Sequence, residues 1–540
     1  MTLFPIVERE LRVAARRAWV YWLRVAVAGL VLGVWLLLLL AAGGNWSPQA
    51  LGRALFNGVS IPAFVFALFT GVFLTADCIS SECREGTLGL LFLTDLRGHD
   101  IALGKLATTS LHAGSGLLAI VPMLALTVLL GGVTGTAVVT RALTVLLAAL
   151  LSLTVGLLCS TLFAEGRKAV LATLATLMVV VGLPMLATFV AERSGVSQAS
   201  RSVMASFSPV SIFIATAQIG GSGTRPWTLF WLGSGGQLLL SLACTAVAGW
   251  QLPRLAAPEQ TAPSAPPARR RPRRWTDEML HPFWQAGQDH GSGRMLMGLL
   301  WLGWAAWFGL SLHALIRDDS DTFGLSLIPA FALHLLFKCQ FAAEAARRFA
   351  EDRASGALEM LSVTPLSPRR ILEQTRLALQ QRFQTARWLV LSVNAGIAVF
   401  FLAGDGFNAP GGDWPLILIL MVGAGVLLFL DGQALAWTGM LEGMRGRKPL
   451  RAALGAVGRV LVPAWAGIFL YLFLGFSGLL DDDTITKSLL VFWFGGSAVL
   501  DFTLISRARA LLGRHFRELA AGESVPARPP TKLGRGSPGH

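Results

Sequence analysis

The chain has 540 residues, 54% apolar and 14% charged, with a mean hydropathy of +0.60 and a formal net charge of +14. That hydropathy excludes an ordinary soluble domain, and continuous rather than alternating apolar runs longer than roughly 18 residues mark spanning helices and exclude a β-barrel. The basic balance follows the positive-inside rule, and no basic helix with interleaved aromatics forms a soluble module, so nucleic acid is not an expected partner.

Residues 4–17 mix Ile6, Val7, Leu11 and Val13 with Glu8, Arg9, Arg12, Arg16 and Arg17, with Pro5 suited to a first helical turn. This reads as an amphipathic helix on the cytoplasmic face that leads into a first span at 19–42, retained because no small-residue cleavage site follows. Further spans are expected at 58–76, 107–130, 141–163, 169–191 and 227–250, with a tight cytoplasmic turn, Glu165-Gly166-Arg167-Lys168, before the fifth. The outer stretch 192–226 contains an apolar segment too short to cross, read as an outer-leaflet or re-entrant helix. Residues 254–274 are rich in Pro, Ala and Arg and form a tether, although its arginines could touch anionic lipid heads.

The second half repeats the plan. Pro282 stands where Pro5 stood, spans are expected at 295–314, 323–342, 388–402, 414–437, 459–476 and 488–505, and Gly446-Arg447-Lys448 mirrors the earlier turn. A basic amphipathic tail helix precedes a disordered end from Pro526. The expected fold is an all-α polytopic membrane protein of about twelve transmembrane helices in a parallel six-plus-six repeat, both termini cytoplasmic. Its parts are a first half at 1–250, a linker with the second amphipathic helix at 251–290, a second half at 291–510 and a basic tail at 511–540.

One polar stretch occurs twice. Residues 81–101 fall on 351–371 without a gap, so Gly86 meets Gly356, Leu88 meets Leu358, Leu91 meets Leu361, Thr94 meets Thr364, Leu96 meets Leu366 and Ile101 meets Ile371. Both copies are polar islands between apolar runs. Their leucines, at helical spacing, predict an apolar stripe suited to docking in a groove outside the membrane, against the plainer reading of a helix lying at the lipid interface.

Glu82, Arg84, Gly86, Thr87, Leu88, Leu91, Thr94 and Leu96, followed by Gly104-Lys105, make a pattern that resembles the permease subunits of type-2 ABC transporters. Asp352, Arg353, Gly356, Leu358, Leu361, Thr364, Pro365 and Leu366 carry it more loosely, and Pro5, Glu10 and Leu11 are similar to that family's N-terminal elbow. The copies depart from the pattern where Asp95 replaces proline and where Gln374-Thr375 replaces Gly-Lys. The resemblance implies that each island is a coupling helix seated in a separate ATP-binding subunit. It also implies two such subunits as partners, one permease chain per complex, ATP and magnesium held by the partners and not by this chain, and a bacterial inner-membrane location among lipids. Cargo would move between the halves when the ATPases close.

No ATPase or other catalytic motif is expected here. Gly98 to Leu106 is only superficially like a P-loop, with Leu106 where the magnesium-binding Ser or Thr belongs and no preceding strand. No His-Glu-x-x-His or Gly-x-Ser-x-Gly is present, the eight histidines are scattered (His112 and His334 read as packing residues), and the five cysteines read as small apolar fillers without metal-ligand spacing. Charges within spans, each disfavoured by roughly 2.5–3.5 kcal/mol at a helix centre, are the better leads. Asp431, Arg459 and Asp501 are expected to form an internal pair, Asp431–Arg459 or Asp501–Arg459, or to join Gln237 and Asn394 in a polar lining, and the first half is expected to hold no counterpart. The rival functions are an ion-coupled secondary transporter and a non-transporting membrane scaffold or sensor.

Overall fold

The computed structural model describes residues 47–93, 96–118, 127–193, 195–217, 225–256, 290–317, 320–354, 356–362, 366–403, 414–445, 449–474 and 482–520, with scattered positions between 25 and 39 and at 120, 124 and 219. The expected amphipathic helices at 4–17 and 278–289, most of the first span, the tether, Thr94, Asp95, Thr364, Pro365, the turn 446–448 and the end of the tail lie outside the described residues.

Among the described residues the protein is helical, with no strand. Six helices are long and apolar enough to cross a membrane, over Pro48–Leu74, Gly135–Leu162, Gly166–Met185, Pro226–Leu255, Gly293–Ile316 and Met421–Met444. They match the second, fourth, fifth, sixth, seventh and tenth expected spans, and this is a membrane protein. Each of the other six expected spans runs into residues or side chains outside the description.

The chain divides into two compact units, Met1–Arg270 with Gly291–Met295, and Arg271–His290 with Leu296–His540. The first holds α1 (Pro48–Leu74), α2 (Ser80–Glu85), α3 (Leu88–Phe92), α4 (Gly98–Leu118), α5 (Gly135–Leu162), α6 (Gly166–Arg193), α7 (Gln198–Ser206), α8 (Pro209–Thr216) and α9 (Arg225–Ala256). Local chemistry sets their starts. Ser47 accepts from the Ala50 amide with Pro48 at the first turn, and Thr134 accepts from the Ala137 amide. Asp100 Oδ2 accepts from the Arg97 amide at 3.0 Å, which satisfies one free donor where α4 opens.

α1 and α5 cross with almost no side-chain layer between them. A Cβ on Gly71 would collide with the Ser152 carbonyl, and one on Gly156 with Thr75 and the Gly71 carbonyl. The gap so closed is stitched by hydrogen bonds from the Gly71 amide to Ser152 Oγ (2.9 Å) and from Thr75 Oγ1 to the Leu153 carbonyl (2.8 Å). Small residues and hydroxyls at a close crossing are what holds helices together where lipid removes the hydrophobic drive. The stretch expected to be re-entrant forms α7 and α8, whose Ile212 and Phe213 are buried and whose Phe213 ring stacks on Phe64 with centroids 4.3 Å apart. It packs on its own unit.

The second unit contains α10 (His290–Arg317, counted here from Leu296), α11 (Ser320–Ala354), α12 (Ala357–Ser362), α13 (Pro368–Arg382), α14 (Gln384–Ala403), α15 (Trp414–Met444), α16 (Pro449–Leu474) and α17 (Asp482–Ala520). Here the close crossing is α11 on α15: a Cβ on Gly443 would meet the Ala346 carbonyl, and one on Gly439 would press on Ala345. The tail helix expected as a separate element is the end of α17, which runs 39 residues with a kink at His515. Its Ala508, Leu512, Phe516 and Leu519 are buried in one cluster with Phe349, Leu358, Ile371, Trp437 and Met440.

Candidate functional site

Each island is built from three pieces rather than the single helix that its sequence suggests. A helix ends at a glycine in the left-handed region, Gly86 (φ 69°) or Gly356 (φ 73°), a conformation that a side chain would strain. A short helix follows, α3 or α12. The last residues of each island are already the first turn of the next helix, which begins at Gly98 in one unit and at Pro368 in the other. These starts keep the register of the sequence repeat.

The leucine stripe does not face outward. Leu88 (3% exposed) is buried with Ile79, Ile101, Leu157, Ala248 and Leu252, and Leu91 and Leu96 pack against that cluster. Leu358 (0% exposed) is buried with Ile371, Met440, Leu512 and Phe516, and Leu361 and Leu366 pack there. The stripe expected to enter a partner's cleft therefore fixes each island to its own unit, because burying one leucine stabilises by about 1.5–3 kcal/mol. Among the described residues, the large apolar side chains that do face outward are Leu90 (62% exposed) and Leu93 (81%) in one island and Met360 (74%) in the other. Leu90 and Met360 occupy the same position of the repeat.

The charged residues are internal braces. Glu82 pairs with Lys105 at 2.5 Å, joining α2 to α4. Where the second copy has Thr375 instead of lysine, Asp352 lies 3.9 Å from Arg348 one turn back on α11, and burial, opposed by Arg348, pushes its carboxyl above the usual carboxylate range. Arg84 donates to both Asp77 carboxylate oxygens (2.8 and 3.1 Å) and to the Ala164 carbonyl (3.1 Å). Arg353 donates to the Met444 carbonyl at 2.5 Å. Ala164 and Met444 each stand two residues before a Gly-Arg-Lys sequence, so the two arginines hold matching positions of the repeat's two halves. Gly166 is needed there, since a Cβ would strike Asp77. Thr87 adds a bond from its Oγ1 to the Glu82 carbonyl at 3.4 Å. Burial pushes the Cys78 thiol up to about 12, so it is inert at neutral pH, in line with its reading as filler.

The polar residues expected within spans belong to both units. Gln237 is buried in α9 of the first unit with no hydrogen-bond partner for its amide, whereas Asn394 lies in α14 of the second, where its Oδ1 is 2.8 Å from His334 Nε2. Neither expected pairing of Arg459 is present. Arg459 pairs with Glu442, which also holds Arg445 at 2.6 Å, and Asp431 pairs with Lys338 at 2.5 Å. Asp501, 1% exposed, is buried on α17 of the same unit. The first unit does bury a charge. Arg141 of α5 is 1% exposed, with its guanidinium 4.0 Å from the Phe213 ring centroid and 5.1 Å from that of Phe56. Sequence reading missed Lys338, Glu442 and Glu344. Glu344 meets Arg382 at 2.6 Å and Arg347 at 3.3 Å. Among the described residues no group of three His, Cys, Asp or Glu side chains could hold a metal.

No family model matches this chain, and no curated protein matches it.

Proposed function

We propose that this chain is the fused permease of an ATP-driven exporter of the type-2 ABC kind, built as a six-plus-six repeat, with its islands acting as coupling helices for two separate ATP-binding subunits. The observation that carries the reading is the matched exposure of Leu90 and Met360, with Leu93 beside Leu90, on short helices whose inner leucines are anchored to their own unit. Apolar side chains left uncovered at repeated positions suit a partner's groove. An arginine brace behind each island gives a push on it somewhere to go. In this reading the chain contributes no catalytic residue, ATP and magnesium belong to the partners, and the island ends face the cytoplasm of a bacterial cell.

The test is co-expression with the ATP-binding cassette subunit encoded nearest its gene. Leu90→Glu with Leu93→Glu, and separately Met360→Glu, should reduce ATPase co-purification and stimulated ATP hydrolysis by roughly tenfold, since docking would bury an unpaired carboxylate. Thermal stability should not change, because none of these side chains packs inside. Full stimulation in both variants would remove the coupling role.

A second reading, an ion-coupled transporter, is favoured by the buried Lys338–Asp431–Asp501 group. It expects solute movement in proteoliposomes driven by a proton gradient without ATP and indifferent to substitution at Leu90 and Met360. Gradient-independent, ATP-dependent movement would dismiss it.

A further inference from the structure

The second unit holds a basic cavity of about 170 Å³ lined by Thr438, Leu441 and Arg445 of α15 and the residue that follows it, Arg459 of α16, and Leu504, Arg507, Ala508 and Leu511 of α17. Three arginines from three helices converge there. Glu442, fully buried, accepts from Nη1 of Arg445 and of Arg459 and so fixes both guanidinium groups, whose remaining N–H groups stay available. Arg507 makes no hydrogen bond or ion pair among the described residues. Three positive charges against one carboxylate leave the site with a net charge of about +2. A small anion alone would not need the rest of the lining, which apart from Thr438 is leucine and alanine. From Arg459 the helix continues one turn to Val462, an exposed apolar side chain of a helix expected to meet lipid.

We infer that this cavity binds the phosphodiester headgroup of an anionic phospholipid, an acyl chain lying along Val462. The chemistry of the site fits one charged head joined to an apolar body: convergent arginines for phosphate oxygens, and an apolar flank leading into the membrane. Arg451, Arg509 and Arg514 lie on the same helices near this end, so the positive-inside rule places it at the inner leaflet, where anionic lipid is presented. The inference rests on the protein being in a membrane and is independent of any transport mechanism.

The experiment uses the full chain, purified in detergent and stripped of lipid, titrated with phosphatidylglycerol, phosphatidylcholine or inorganic phosphate while thermal unfolding and native mass are followed. Phosphatidylglycerol should raise the melting temperature and remain bound; phosphatidylcholine should not. Arg507→Gln, which breaks no internal ion pair, should bind phosphatidylglycerol about fivefold more weakly. Arg514→Gln, on the same helix but outside the cavity, should bind as the unaltered chain does. Equal binding of phosphatidylcholine, an equal loss in Arg514→Gln or no loss in Arg507→Gln would overturn the inference. Full stabilisation by inorganic phosphate alone would replace the lipid with a free anion and overturn it as well.

Discussion

Leu358→Glu should unfold the island end of the second unit. The side chain is fully buried among Phe349, Ile371, Trp437, Met440, Leu512 and Phe516, and a carboxylate there would have neither water nor a partner. Truncation to alanine alone is expected to destabilise by about 2–5 kcal/mol, and the charge adds the desolvation of an unpaired polar group. Thermal unfolding followed by tryptophan fluorescence, with Trp437 inside the affected cluster, measures it. Leu88→Glu should act the same way in the first unit. A Leu358→Glu chain that melts with the unaltered protein would mean that the leucine stripe is free and faces outward after all.

The second large effect is expected at Lys338. Lys338→Met leaves Asp431 buried beside Asp501 with its cation gone, and breaking a buried pair by removing one partner is expected to destabilise by about 3–5 kcal/mol. The double variant Lys338→Met with Asp431→Leu should regain most of that loss, because a buried ion pair replaced by well-packed apolar groups is often neutral. Chemical or thermal melting of the two single variants and the double variant forms a closed cycle. Additive losses would show that lysine and aspartate do not interact in the folded protein.

These two sites illustrate what can be read from a linear chain. The islands were legible because a left-handed glycine, a recurring set of leucines and a helix start are local properties, and each recurs at the same offset. The facing of the stripe was not, since an apolar stripe on a short helix looks the same whether its groove is another protein or the end of its own bundle. Partners such as Leu252 and Ala248 on α9, and Leu512 and Phe516 on α17, decide that, and they are distant in sequence. Ion pairing failed for a related reason. Asp431 and Arg459 are the conspicuous charges of their spans, but helix rotation turns Asp431 towards Lys338 on α11 and Arg459 towards Glu442 on α15. Lys338 lies near the end of an apolar run that masks it. Arg141 was visible as a residue at the mouth of a span, yet its neighbours Phe56 and Phe213 come from α1 and α8, and no periodicity links them.

The bend in α17 gives the second island a jointed seat. The helix runs Asp482–Ala520, from the last expected span into the cluster that seats α12, and helical geometry is broken at His515. Ala508 and Leu512 of that cluster stand before the bend, and Phe516 and Leu519 stand after it. The first island rests on Ala248 and Leu252 of α9, which belong to one helix, Arg225–Ala256. A tilt of the spanning part would reach the first island directly, and would reach the second in part across the joint.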